Sequence, residues 1–585
     1  MLDTANKKLL GRIVLTALVV VTLIVAPYTL TDPMGLPKLS MLAFFAVVAL
    51  SLVLPAIKAL FRSEFRTLVI LLTLFILQII LVFFLSGADY GAQFYGAYAR
   101  NNGALAYFAL AVLLFSSSLV SDKEFVKRFI RIALIIGAIL IIYGNIQYLG
   151  LEPFPYKTLY TANAPIGTFG NSNFQSAFMG LIATVAMTMA LNTAFKASVR
   201  LGFATMGLAS IVVIYETISS QGYLNFLAGL SLVAILWLII HGRKTLAMAA
   251  AGLALMGGGL LFLALFNLGP LARFIFEASV AARLYYWWAA AKMLIDHPFF
   301  GVGMDGFGTW YLRYREVAMN KGFLSYADSA HNVFADIATS GGVPLVTIYC
   351  AIAVLVIISI IRIMRRKDGF DPYFLATVGA WFAWHVQSFI SPMQLGLAIW
   401  GWVLSGLIIG YEINTRVKET GQVLPTKIKH NGKKAKVSVQ PLSSKSVISL
   451  FAGVLIGALI AIPPYYVHAR FYAAINSGDL KAVESAAYLR PIDERRLSHG
   501  VSMFIVNVKP RDSSQLSSRQ EANNSRGKFI YEEEAIKILR FGVARYPDSH
   551  DLWSIWAQFS NASPSDRATA RAQMRRLDPF SPQWK

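Results

Sequence analysis

Long apolar runs separated by short polar connections set the rhythm of this chain. Thirteen runs stand at about 13–31, 39–57, 67–87, 104–120, 130–149, 174–195, 201–218, 222–241, 245–266, 343–362, 372–390, 395–411 and 446–466. Each is continuous, and most come close to the ~20 residues a helix needs to cross a ~30 Å hydrocarbon core. A membrane β-barrel would show alternation instead. The pattern predicts an all-α, polytopic membrane protein with about 12–13 transmembrane helices. The first run lacks a small-residue cleavage site and reads as a span rather than a signal peptide.

The spacing of the runs gives the organisation. Residues 1–411 form a polytopic core that includes a large loop at 267–342. A basic linker follows at 412–445, then the last span at 446–466, then a region at 467–585. In that last region apolar residues recur at helical spacing in "DLKAVESAAYLRPIDERRLSHGVSMFIV" and around "YPDSHDLW" and "LDPFSPQW". Helical runs that end near prolines resemble degenerate tetratricopeptide-type hairpins, a docking or packing module open to a protein partner. Between them, "KPRDSSQLSSRQEANNSRGK" reads as a polar loop.

Composition sharpens this picture. The 585 residues are 56% hydrophobic and 14% charged with a mean hydropathy of +0.56, whereas a soluble chain carries about a quarter charged residues. A net charge of +22 invites a nucleic-acid reading. The distribution argues against it, because the cations sit between apolar runs, as orientation signals do. With the N-terminus in the cytoplasm, 26 lysines and arginines fall inside and nine outside up to residue 466. The 267–342 loop and the C-terminal region are then extracytoplasmic, on a multi-pass cytoplasmic-membrane protein. The single cysteine, Cys350, excludes an intrachain disulfide.

Candidate chemistry gathers on that outer side. His331, in "SYADSAHNVFADIATSGGVPL", stands at the mouth of a span and can act as a base near neutral pH. Ser329 is placed to cap a short helix running to about Thr339, "SGG" to break it, and Pro344 to open the next span. Upstream, Arg283 and Trp287 share a helix face by their i, i+4 spacing. An arginine at headgroup depth can bind phosphate in a bidentate way. Arg100 lies in "FYGAYARNNGALAYF". Asn171 and Asn173 lie in "TANAPIGTFGNSNFQSAF", where they can donate to glycan or phosphate oxygens or simply cap the following helix. Tyr95, Tyr98, Trp287 and Trp310 can stack on sugar faces or anchor at the interface. Walker loops, H-E-x-x-H pairs, Cys/His clusters and G-x-S-x-G elbows do not occur, and neither does a DxD-type metal motif. An enzyme of this kind would work outside the cell without nucleotide, metal or other cofactor, on a donor already activated and membrane-bound.

The ordered set "GAYARNNGALAYF", "GTFGNSNF", "R…WWAAAKMLIDHPFFGVGMDGFG" and "HNVFADIATSGGVPL" resembles the O-antigen ligase and polymerase superfamily over about residues 10–412. The resemblance implies a membrane glycosyltransferase with a glycan donor on polyprenyl (undecaprenyl) pyrophosphate and inverting, metal-independent transfer to an acceptor hydroxyl. It makes His331 the base, Arg283 a pyrophosphate or transition-state ligand and Arg100 a secondary one. By the same correspondence Asn332, beside the histidine, joins Asn171, Asn173 and Trp287 as a substrate contact. The chain departs from the family in one place. Many members have Ser-Arg-Gly before the eighth span, and here "SSQGYLNF" puts Gln221 there. Gln221 can hydrogen-bond but brings no charge, and Arg273, Arg313 and Arg315 are the candidates to compensate. Within the class the alternatives are a lipid-linked glycan polymerase and a protein O-oligosaccharyltransferase. Outside it they are a transporter or flippase, disfavoured by spans nearly free of charge, and an idle scaffold.

Overall fold

The computed structural model describes residues 3–30, 32–154, 164–275, 278–319, 326–366, 371–419, 442–477, 480–489, 497–498, 536–558 and 563–584. The basic linker beyond 419 and the polar segment 509–528 lie outside the described residues. Among the described residues there is helix and no strand.

All thirteen apolar runs lie on helices. In chain order these are α1 (Thr4–Leu23), α2 (Gly35–Val53), α3 (Arg66–Leu85), the short α4 (Tyr90–Tyr95), α5 (Ala104–Val120), α6 (Lys123–Tyr148), α7 (Ser172–Ala190), α8 (Ala197–Glu216), α9 (Gln221–Ile240) and α10 (Lys244–Leu265). The large loop carries α11 (Arg283–Asp296) and α12 (Phe307–Tyr314). Then come α13 (Val333–Met364), α14 (Pro372–Ser388), α15 (Leu395–Glu419) and α16 (Ser444–Ser477). The C-terminal region adds α17 (Leu480–Ala487), α18 (His550–Gln558) and α19 (Pro564–Leu577). Nine of the described helices are long and apolar enough to cross a membrane. The other four, α1, α5, α7 and α14, are shorter or more polar helices packed within the same bundle. The chain is a polytopic membrane protein. The first helix begins at Thr4, earlier than the apolar run predicts, because the Asp3 carboxylate caps it by accepting from the Asn6 N–H at 2.7 Å.

Packing follows membrane logic, in which small residues and side-chain hydrogen bonds join helices. Against α5, α15 presents Gly406 and Gly410, where a Cβ would collide with the carbonyls of Leu114 and Ser118. Ser121 donates to the Leu407 carbonyl at 2.7 Å across the same seam, and Asn414 donates to Ser118 and Ser121. Lys38, one of the nine cations counted on the outer side, is fully buried. Its ammonium donates to the carbonyls of Val21, Thr22 and Ile24 at 2.9–3.0 Å, so it closes the end of α1. Helix α16 packs along α2 and continues past it into a separate apolar core built with α17, α18 and α19.

Because the spans alternate in direction, the connections after α1, α3, α6, α8, α10, α14 and α16 share one end of the bundle. The candidate site lies at that end.

Candidate functional site

The turn before α13 sets the histidine. Asn332 caps the helix, its side-chain oxygen accepting from Phe334 and Ala335 N–H groups at 2.9 and 3.2 Å. Asn332, not Ser329, is therefore the cap; its extended backbone suits that role. Ser329 works one step earlier: its hydroxyl accepts from the His331 N–H at 3.1 Å and touches Nδ1 at 3.2 Å. His331 itself takes a left-handed backbone, φ 53°, which costs a non-glycine residue on the order of 1 kcal/mol. The turn is held by the Ala330 N–H donating to Asp336 at 2.7 Å. After about two and a half turns the helix breaks at Gly342 (φ 75°, ψ −176°), as "SGG" predicts, and restarts with Pro344 in its first turn. The break is pinned from the loop. Val302 and Val343 N–H groups donate to Thr339 and Pro298 carbonyls at 2.8 Å, and Gln78 of α3 donates to Phe299 and Gly341.

Nδ1 of His331 lies 3.2 Å from the Ser329 carbonyl, which can only accept. A proton on Nδ1 satisfies that carbonyl, lets the Ser329 hydroxyl at the same distance accept as well, and leaves Nε2 with the lone pair. Burial lowers the imidazole from 6.5 to about 4, and the Arg100 and Arg283 charges act in the same direction. The ring is neutral at physiological pH. Tyr286 of α11 lies against it at 5.4 Å between ring centres.

His331, Arg283, Arg100, Asn171 and Asn173 all line one cavity of ≈ 680 Å³. Its wall is completed by the turns after α1 and α14 and by Tyr472 near the end of α16. Arg100 pairs with Asp328 at 2.5 Å. Burial penalises that carboxylate, and Arg100 outweighs the penalty, so its pKa falls below the ordinary range. Arg283 is buried at the first turn of α11. Asn171 caps α7 by accepting from the Asn173 N–H at 2.8 Å, and Asn173 accepts from Ser219 at 2.7 Å. Both asparagines thus serve the fold as well as the cavity wall.

Gln221, the first residue of α9, is buried and donates to the Ser391 hydroxyl at 2.6 Å. Ser391 lines the cavity and Gln221 does not. Trp287 does not share the cavity with Arg283: it packs edge-on to Phe266, beside the small cluster of Phe266 and Val280. None of the three candidates to compensate for the missing arginine lines the cavity. Arg313 pairs with Asp548 at 2.7 Å and Arg315 with Asp578 at 2.6 Å, both in the C-terminal region. Arg273 is exposed and does not line the cavity.

Sequence reasoning missed Asp328 and Asp305, while Tyr98, named there as an aromatic that could stack on sugar, does line the cavity. The Asp305 carboxylate accepts from the Ala97 and Asn102 N–H groups at 2.7 and 3.1 Å and so fixes the turn carrying Arg100. Burial pushes its pKa up to about 6, against the pull of Arg100. The signal was present in "GVGMDGFG", where an acidic residue sits between glycines of a tight turn. Four of the six non-glycine residues with left-handed backbone among those described, Ala99, Asn101, Asp305 and His331, cluster here, as strain does at functional sites.

Residues 205–350, about a quarter of the chain, match the O-antigen ligase family. The match runs from α8 into α13 and contains Gln221, Arg283, Trp287, His331 and Asn332; Arg100, Asn171 and Asn173 lie before it. None of the curated proteins compared with the chain matches it.

Proposed function

We propose that this chain, in which residues 205–350 carry an O-antigen ligase-type domain, transfers an oligo- or polysaccharide from a polyprenyl pyrophosphate to an acceptor hydroxyl. The family match supports a ligase- or polymerase-type glycosyltransferase. The observation that carries the finer reading is the shared cavity, where a neutral imidazole meets one buried and one partly buried guanidinium at one end of a membrane bundle.

The chemistry balances in a single displacement. The acceptor oxygen attacks the anomeric carbon while its proton passes to Nε2 of His331. The bond from that carbon to the phosphate oxygen breaks with its electron pair, and the sugar inverts. Negative charge grows on the departing pyrophosphate, where Arg283 stabilises it in a partly dehydrated site. Arg100 adds its charge as far as Asp328 releases it. Gln221, lacking charge, acts through Ser391 on the wall. Binding needs no metal in this scheme, because the guanidiniums supply the positive charge. In this reading the cavity faces away from the cytoplasm, the N-terminus lies inside, and the protein sits in the cytoplasmic membrane.

Purified protein in lipid vesicles, given polyprenyl pyrophosphate carrying the host's glycan and the host's acceptor fraction, should release polyprenyl pyrophosphate as the acceptor gains glycan. No transfer from any such donor would refute the reading. Disruption of the gene separates its two forms: accumulated lipid-linked polymer marks a ligase, and accumulated single repeat units mark a polymerase.

A further inference from the structure

A second cleft, ≈ 250 Å³, opens between α4, the 302–310 turn and residues 545–548 ahead of α18. It adjoins the candidate active site. Tyr98 lines both spaces, with Gly96 and Ala97 on the cleft side and Ala99 and Arg100 on the cavity side. The turn between them is the one Asp305 holds.

The lining is chemically specific. Tyr98 and Trp310 bring aromatic rings, Trp310 with Arg313 stacked over it at 4.3 Å; Tyr546 adds the edge of a ring buried in the C-terminal core, and Thr309 is an exposed hydroxyl residue. Asp89 and Asp548 bring carboxylates whose charges are already met, by Arg545 at 3.1 Å and by Arg313 at 2.7 Å. A carboxylate offers about four acceptor positions, so such pairs retain capacity for hydroxyl donors without a field that would concentrate cations. Aromatic faces with neutralised acceptors suit a polyhydroxylated ring. The volume, just below the roughly 300–1,000 Å³ of typical ligand pockets, suits a short saccharide rather than a folded partner.

We propose that this cleft is a saccharide subsite, holding the sugars next to the reacting one, with residues 545–548 of the C-terminal region as one of its walls. The inference rests on the glycosyl-transfer reading above and gives the C-terminal helices a task in it. The wall is placed by the ion pairs of Arg313 and Arg315, so those arginines shape a binding surface instead of binding pyrophosphate.

The test fills the cleft from its exposed side with Thr309→Trp, and from α4 with Ala92→Phe should the first variant lose membrane abundance. The first probe is the host's envelope glycan, released by mild acid, cut to two repeat units and followed by saturation-transfer NMR on the full-length protein. Wild type should bind it, and the filled variant should bind at least tenfold more weakly. The second readout is transfer: KM for a donor carrying several repeats should rise at least tenfold, while a donor carrying one sugar is used as by wild type. Glycan binding that the filled variant loses, without transfer by either protein, supports the cleft and refutes the transfer reading. Transfer by wild type with equal binding and KM in the variant refutes the cleft alone. Equal loss with the one-sugar donor also overturns it, because the residue would then belong to the reaction centre.

Discussion

Replacing Arg315 by Met should loosen the C-terminal region from the large loop. Arg315 and Asp578 meet at 2.6 Å with side chains only 5% exposed on each partner. Removing one member of a buried pair leaves the other charge uncompensated, at a cost of about 3–5 kcal/mol. The neighbouring Arg313–Asp548 and Arg545–Asp89 pairs are more exposed and contribute roughly 0.2–1 kcal/mol each. Among these ion pairs the Arg315–Asp578 contact therefore dominates. Taking about 3 kcal/mol, the opening equilibrium shifts on the order of 10²-fold. Hydrogen exchange of the backbone in α12 and α19 reads that shift directly, as a matching fall in protection. A second variant tests the cause. Arg315→Met with Asp578→Leu removes both charges and should recover most of the protection, since apolar replacement of a buried pair is often neutral. Equal loss in the single and double variants would show that shape, not charge, holds the two regions together. Unchanged protection in the single variant would refute the argument outright.

Other consequences follow from the same geometry. His331, lowered to about 4, stays neutral across the neutral range, so the acid limb of kcat/KM that it controls should lie near pH 4, not 6.5. A limb near 6 that disappears in Asp305→Asn would assign the dependence to that carboxyl instead. The sign for stability is opposite to that of an ion-paired histidine. Unfolded chains take up the proton near 6.5 and the folded chain does not, so His331 lowers stability as pH falls from 6.5 towards 4. Gly342→Ala should abolish transfer and lower thermal stability by roughly 2 kcal/mol or more, because a Cβ at φ 75° would meet the Pro298 carbonyl oxygen at 2.5 Å. Wild-type melting and activity in that variant would show the break to be dispensable. Chelation with EDTA should leave transfer within twofold of untreated protein, and strong inhibition would bring a metal into the scheme.

Periodicity made the helices legible because the membrane demands uninterrupted apolar length, which is a local property. The break at Gly342 was legible too, since "SGG" followed by proline has few other backbone solutions. The meeting of Arg100, Arg283 and His331 is a tertiary fact. It depends on alternate spans bringing separate connections to one end, and span order supplied only the shared side. What each arginine does was less legible still. Arg313 and Arg315 find their partners 235 and 263 residues away, a distance no local pattern reaches. Lys38 shows the same limit. The charge count placed it among the nine outside cations, yet it is buried because the last carbonyls of α1 need a donor. Trp287 shares a helix with Arg283 but turns to Phe266, so common spacing did not mean common purpose.

The most direct measurement is single-turnover transfer from polyprenyl pyrophosphate-linked glycan by vesicle-reconstituted wild type, His331→Ala and Arg283→Ala, at matched membrane abundance and matched melting temperature. Rates at least a hundredfold lower in both variants are expected. Wild-type rates in both would remove the imidazole and the guanidinium from the reaction and leave the cavity without its assigned chemistry.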